Sequence, residues 1–177
     1  MSNTFLYRMP AGIAGQVNRV EAATIEPGIF DASYPCLAYG ILVQISSGKV
    51  RPIASGETIA NLKGLGFLAR PFPIQEAQGT SAANELIGAG APNTTFAANV
   101  MKRGYMSVLV TANGATALAD IVKGDPVYVR TLAAVSPLEG SVGDIEAGST
   151  TGNEVVSGAY FMGAPDSNGF GEIAYNI

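Results

Sequence analysis

Leu37-Ala38-Tyr39-Gly40-Ile41-Leu42-Val43-Gln44-Ile45-Ser46-Ser47-Gly48-Lys49-Val50-Arg51-Pro52-Ile53 decides the fold class. Leu37, Tyr39, Ile41, Val43 and Ile45 recur at every second position, the period of a strand with one buried face. Ser46-Ser47-Gly48 reads as a turn, and Val50 to Ile53 as a short return strand. Pro52 cannot donate to a sheet ladder, so it marks an edge or an end.

The same period recurs downstream. Leu65 to Arg70 forms a strand stopped by Pro71 and Pro73, and Val100 to Thr111 carries Met106, Val108 and Val110 on one face. Asn113-Gly114 is a strong turn signal. Val127, Val129 and Thr131 then alternate with Tyr128, Arg130 and Leu132. At the end of the chain, Ile173, Tyr175 and Ile177 face one way and Glu172, Ala174 and Asn176 the other. Short strands between Gly, Pro and Asn turns predict an all-β fold, a small barrel or sandwich.

Two stretches break the pattern. Residues 1–35 hold Pro10, Gly12, Gly15, Pro27 and Gly28, which oppose a helix, yet Phe5, Leu6, Ile13, Val17, Ile25, Ile29 and Phe30 are too apolar for a solvated tail. They predict an extended N-terminal arm that lies on a neighbouring subunit, ahead of a single β-rich body over 36–177. Residues from about 76 to 99, rich in Ala, Asn, Gly and Thr, predict a long central loop with one helical turn near Ser81 to Ile87.

The chemistry that the chain omits argues against catalysis. Its 177 residues include no His, no Trp and one Cys, Cys36. Histidine does most general acid–base work near neutral pH, and a Ser or Cys nucleophile needs such a base. The fourteen carboxylates show no spacing that singles out a catalytic pair. Gly64-Leu65-Gly66-Phe67-Leu68-Ala69 and Gly169-Phe170-Gly171-Glu172-Ile173-Ala174 have dinucleotide-fingerprint spacing, but neither is followed by the helix such a site requires. Asp166-Ser167-Asn168-Gly169 opens like a calcium loop without its later ligands, and reads as a turn between two C-terminal strands. The sequence predicts no enzyme activity and no cofactor or metal.

Charge narrows the partners. Charged residues make up only 14% of the chain, well below the roughly 25% of an ordinary domain, which points to a surface covered by other protein. The net charge of −4 argues against a nucleic-acid groove. Ten bases and eight acids lie before residue 131, and six acids with no base after it. That split fits either head-to-tail contacts between copies or solvated acidic loops. No apolar run reaches the length of a membrane span, no basic-then-apolar leader opens the sequence, and Cys36 has no disulfide partner.

Five landmarks, in order, carry a family resemblance: Arg8-Met9-Pro10-Ala11-Gly12-Ile13-Ala14-Gly15, Val50-Arg51-Pro52-Ile53, Met101-Lys102-Arg103-Gly104-Tyr105-Met106, Gly124-Asp125-Pro126-Val127-Tyr128-Val129-Arg130, and Ala159-Tyr160-Phe161-Met162-Gly163 continuing to Glu172-Ile173-Ala174-Tyr175-Asn176-Ile177. Together they resemble the structural cement (head decoration) proteins of tailed bacteriophages. The resemblance implies a protein made in the host cytoplasm and added to the outer surface of a capsid, where it binds across neighbouring major capsid subunits. It also implies self-association as a small closed oligomer, a trimer ahead of a dimer, with neither nucleic acid nor membrane as partner. The arm supplies the candidate contacts: Phe5, Leu6, Ile13 and Val17 as apolar contacts, with Arg8 and Arg19 orienting shell carboxylates. Two other readings share the composition: another virion part, such as a tail tube or fibre base, and a β-sandwich module that binds sugars or peptides.

Overall fold

The computed structural model describes residues 12–71, 92, 97–113, 116–134 and 140–177. Their regular structure is nine β-strands and three short 3-10 turns. The strands are β1 (Thr24–Ile29), β2 (Leu42–Ser46), β3 (Lys49–Pro52), β4 (Gly66–Ala69), β5 (Ala97–Thr111), β6 (Pro126–Arg130), β7 (Ile145–Glu146), β8 (Asn153–Phe161) and β9 (Phe170–Tyr175).

The 15-residue β5 organises the molecule by serving two sheets. Its first half runs between β4 and β1, both antiparallel, and β4 continues through β2 to β3. Its second half belongs to a closed ring in which β5 pairs with β7, β7 with β6, β6 with β8, β8 with β9, and β9 again with β5. Gly104, with φ +139°, sits at the changeover, where a Cβ would come 3.1 Å from Ala23. Closure removes the free edges that would otherwise template aggregation. The first sheet also comes close to closing, because Phe30 bridges Val50 in parallel and the Asp31 N–H donates to Val50 O at 2.9 Å.

Two cores follow from this arrangement. Met106, Val108 and Val110, Val127 and Val129, and Ile173 and Tyr175 fill the ring, the inward faces that alternation predicts. Leu42, Phe67, Ala69 and Met101 of the first sheet join them. The opposite face of that sheet, with Val43, Leu68, Ala98 and Val100, packs on Phe30, Cys36, Tyr39 and Ile41. Leu42-Val43, Phe67-Leu68 and Val100-Met101 are therefore consecutive buried pairs, the mark of a sheet covered on both sides. Edge-on contact between Phe67 and Tyr175, ring centroids 5.1 Å apart, joins sheet to ring.

Several expectations need correction. Residues 24–29 form β1 although the composition of 1–35 reads as non-strand, and the described part of that segment hydrogen-bonds to β5 of its own chain. Pairing with an already formed strand overrides the poor propensity of Pro27 and Gly28. Leu37 is 78% exposed and regular pairing starts only at Leu42, because Gly40 takes φ +79° and breaks the extended backbone. β5 begins at Ala97, inside the stretch read as central loop; residues 72–91 and 93–96, including the expected helical turn, lie outside the described residues. Asn113 does reverse the chain, bridging Thr116, but β5 and β6 are not neighbours, since β7 lies between them.

Candidate partner-binding surface

Residues 12–19 lie across the corner where β5 passes between its sheets. Gly15 N–H donates to Ser107 O at 2.8 Å, Ser107 N–H to Gln16 O at 2.9 Å, and Asn18 N–H to Tyr105 O at 3.0 Å. Val17 bridges Met106 and packs against the ring core. These contacts satisfy an edge of β5 that neither β4 nor β7 reaches. Gly15 is the tight point. Its φ is +84°, and a Cβ there would lie 2.5 Å from Tyr39 Cβ and 3.2 Å from Arg70 N. Arg70 locks the crossing: its N–H donates to Gly15 O at 2.8 Å, its Nε to Ala14 O at 3.3 Å, and its guanidinium covers the Tyr39 ring at 4.5 Å.

Polar side chains pin the end of this strap. Arg19 stacks 3.9 Å over the Tyr105 ring and pairs with Glu172 at 3.2 Å. Asn18 Nδ2 donates to the other Glu172 oxygen at 3.0 Å, and Ser107 Oγ donates to Asn18 Oδ1 at 3.1 Å. Of the six residues expected to contact a partner, then, Val17 and Arg19 engage their own body and Ile13 is half-buried in the strap. Phe5, Leu6 and Arg8 lie outside the described residues.

β1 carries a further surface of the expected arm, outside the six named contact residues. Gly28 of β1, and Phe30 just beyond it, meet Val50 and the second core. By alternation Ile25, Pro27 and Ile29 share the other face, and they are exposed, Ile29 by 70%. Their cross-strand neighbours on β5 are Met101, Asn99 and Ala97. Met101 is buried in the ring core, whereas Ala97 is open to solvent. The face that forms core at Phe67, Ala69 and Met101 thus runs on, uncovered, over β1. Val20, in the 3-10 turn that leads into β1, is also 70% exposed. The signal was present as Ile25 and Ile29 two steps either side of Pro27.

The acidic C-terminal region is tied into its own fold. All five of its described carboxylates bond within the chain: Asp144 to Ser141 N, Glu146 to Gly140 N and Asn153, Glu154 to Ile59 N, Asp166 to Asn168 N and Phe170 N, and Glu172 to the strap. The bonds of Asp166 close the expected turn between β8 and β9. Among the described residues no group of three His, Cys, Asp or Glu side chains is placed to hold a metal. No described helix is long and apolar enough to cross a membrane.

The sequence matches, over residues 1–176, the family described as structural cement protein (E217 gp24/Pam3 gp6). The chain belongs to this phage cement family. No curated protein matches it. Among solved structures it is similar to a chain of the capsid of Myoviridae phage XM1, with a TM-score of 0.65 and 20% identity over 99% of this chain and 97% of that one. At that identity the likeness speaks for the fold: the cement protein shares its double-sheet architecture with a component of a phage capsid structure.

Proposed function

We propose that this chain is a virion protein that binds the outside of a phage capsid and cements neighbouring major capsid subunits. The match to the cement family along nearly the whole sequence carries the reading. The physical role follows from repetition. One molecule that buries surface on two subunits makes their separation also break its own contacts, and a closed shell multiplies modest affinities. A standard contact of roughly 800 Å² per partner suffices when its centre is well packed. Copies are further expected to self-associate as a small closed oligomer, a trimer ahead of a dimer, by analogy with threefold and twofold lattice positions.

With few charges and an uncovered apolar face, burial rather than ion pairing supplies the attachment, at about 25 cal/mol per Å². The test adds purified protein to cement-free shells, then measures occupancy, the shell's melting temperature, and release across a salt series. The reading expects saturable occupancy, a raised melting temperature, and retention in salt at about twice physiological ionic strength. No occupancy on intact shells would overturn it. Wholesale release at that ionic strength would show the contact to be electrostatic.

A further inference from the structure

We infer that the uncovered face of β1 is the shell contact: Ile25, Pro27 and Ile29, with Ala97 beside them, Arg103 at one end and the exposed Val20 of the preceding turn, dock face-on against an apolar patch of capsid protein flanked by a carboxylate. The inference rests on the capsid-binding reading above and names the surface through which it operates.

Three observations carry it. First, this face continues the core face of the same sheet, so its residues have the chemistry of an interior without a cover. Three apolar side chains on one face of a strand that is itself exposed on nearly every residue differ from the scattered apolar residues normal on a surface. Second, the strand cannot recruit a partner efficiently by its edge. Pro27 has no N–H to offer, the register shifts between Thr24 and Ile25, and the far end is already taken by the bridge from Phe30 to Val50. A second copy adding strand to strand is therefore disfavoured, and docking on the face remains. Third, Arg103 lies opposite Thr24 at the end of the stripe, exposed, with no ion pair among the described residues. Neighbouring cations are committed: Arg19 to Glu172, and Lys102 to Glu26 and to the carbonyls of Gly64 and Leu65. An uncommitted guanidinium beside an apolar stripe asks for a carboxylate on the partner, and Arg is the cation best suited to such an interface.

The experiment compares wild type with Val20→Glu/Ile29→Glu, the milder Val20→Ser/Ile29→Ser, and Arg103→Glu. Val122→Glu/Val155→Glu, at exposed apolar positions elsewhere, serves as control. Circular dichroism and melting check each fold, occupancy on cement-free shells is measured by co-sedimentation, and self-association by analytical ultracentrifugation. The expected result is at least a tenfold loss of shell affinity for the Glu pair, an intermediate loss for the Ser pair and for Arg103→Glu, and less than twofold for the control. If the Glu pair misfolds, the Ser pair decides by the same criterion. Folded β1-face variants that occupy shells as wild type does would overturn the inference while leaving capsid binding intact. So would variants that lose only self-association, since the face would then cover a second copy. Wild type that binds no shell would remove both the function and the surface.

Discussion

Arg130 and Glu146 lie 3.9 Å apart on the outer side of the ring wall, with only 1% and 0% of their side chains exposed. Loops on either side seal them in. Arg130 donates to the carbonyls of Leu132 at 2.9 Å, Thr151 at 3.0 Å and Ala133 at 3.3 Å. Glu146 accepts from Gly140 N at 3.1 Å, Asn153 Nδ2 at 2.9 Å and Thr150 Oγ1 at 3.3 Å. The pair thus ties the β6–β7 and β7–β8 connections, and the start of β8, to β6 and β7.

Truncating one member leaves a buried charge without its partner, which costs about 3–5 kcal/mol. Glu146→Ala should lower the urea midpoint of unfolding accordingly. Arg130→Lys should recover little, because an ammonium cannot reach three carbonyls in the planar fork that a guanidinium provides. Equal stability of Arg130→Lys and wild type would show that the fork geometry does not matter.

Gly15→Ala should destabilise by at least the 1–3 kcal/mol typical of a strained backbone position, because the added Cβ meets Tyr39 Cβ and Arg70 N in a left-handed conformation. Hydrogen exchange locates the effect. Faster exchange at Gly15, Ser107 and Arg70, with the ring strands still protected, is expected; uniform loosening would contradict a local strap.

Burial raises the pKa of Asp144, with the nearby Glu146 adding to the rise and the Ser141 N–H opposing it. The folded protein therefore binds this proton more tightly than the unfolded chain does. Its contribution to stability is full below the ordinary Asp value of 3.8 and is lost as pH rises through the raised one. Asp144→Asn keeps an oxygen for Ser141 and removes the titration. Its stability relative to wild type should be higher at pH 7 than at pH 4, as read by urea unfolding at both. The opposite order would refute a raised value.

How much of this was legible in the sequence depends on which force made each element. Alternation found β2, β3, β4, most of β5, β6 and β9, because Val108, Val129 and Ile173 each face a core and their neighbours do not. It missed β1, which buries almost nothing on its outer face and is held by pairing with β5. It gave no bounds for β8, the strand expected before the Asp166 turn, because Ser157-Gly158 interrupts the period and Gly158 takes φ +77°. Nor could period two reveal that Leu42 and Val43 enter different cores. The strap and the Arg130 clasp are long-range arrangements of ordinary residues, and no local pattern announces them. The expected arm contacts divide in the same way: Val17 and Arg19 engage their own chain, whereas Ile25 and Ile29 of the same segment stay exposed.

Burial pushes the Cys36 thiol up to about 12, so it stays protonated and unreactive at neutral pH. Labelling by a thiol reagent at pH 8 should be slower than for unfolded protein by orders of magnitude and should follow unfolding as urea is added. Fast labelling of the native state would place Cys36 outside the second core.

Image reconstruction of shells saturated with the protein tests the cement role most directly. Extra density is expected on the outer surface, lying across the boundary between neighbouring capsid subunits, with the β1 face turned to the shell. Density confined to one subunit, to the shell interior or to the tail would contradict it.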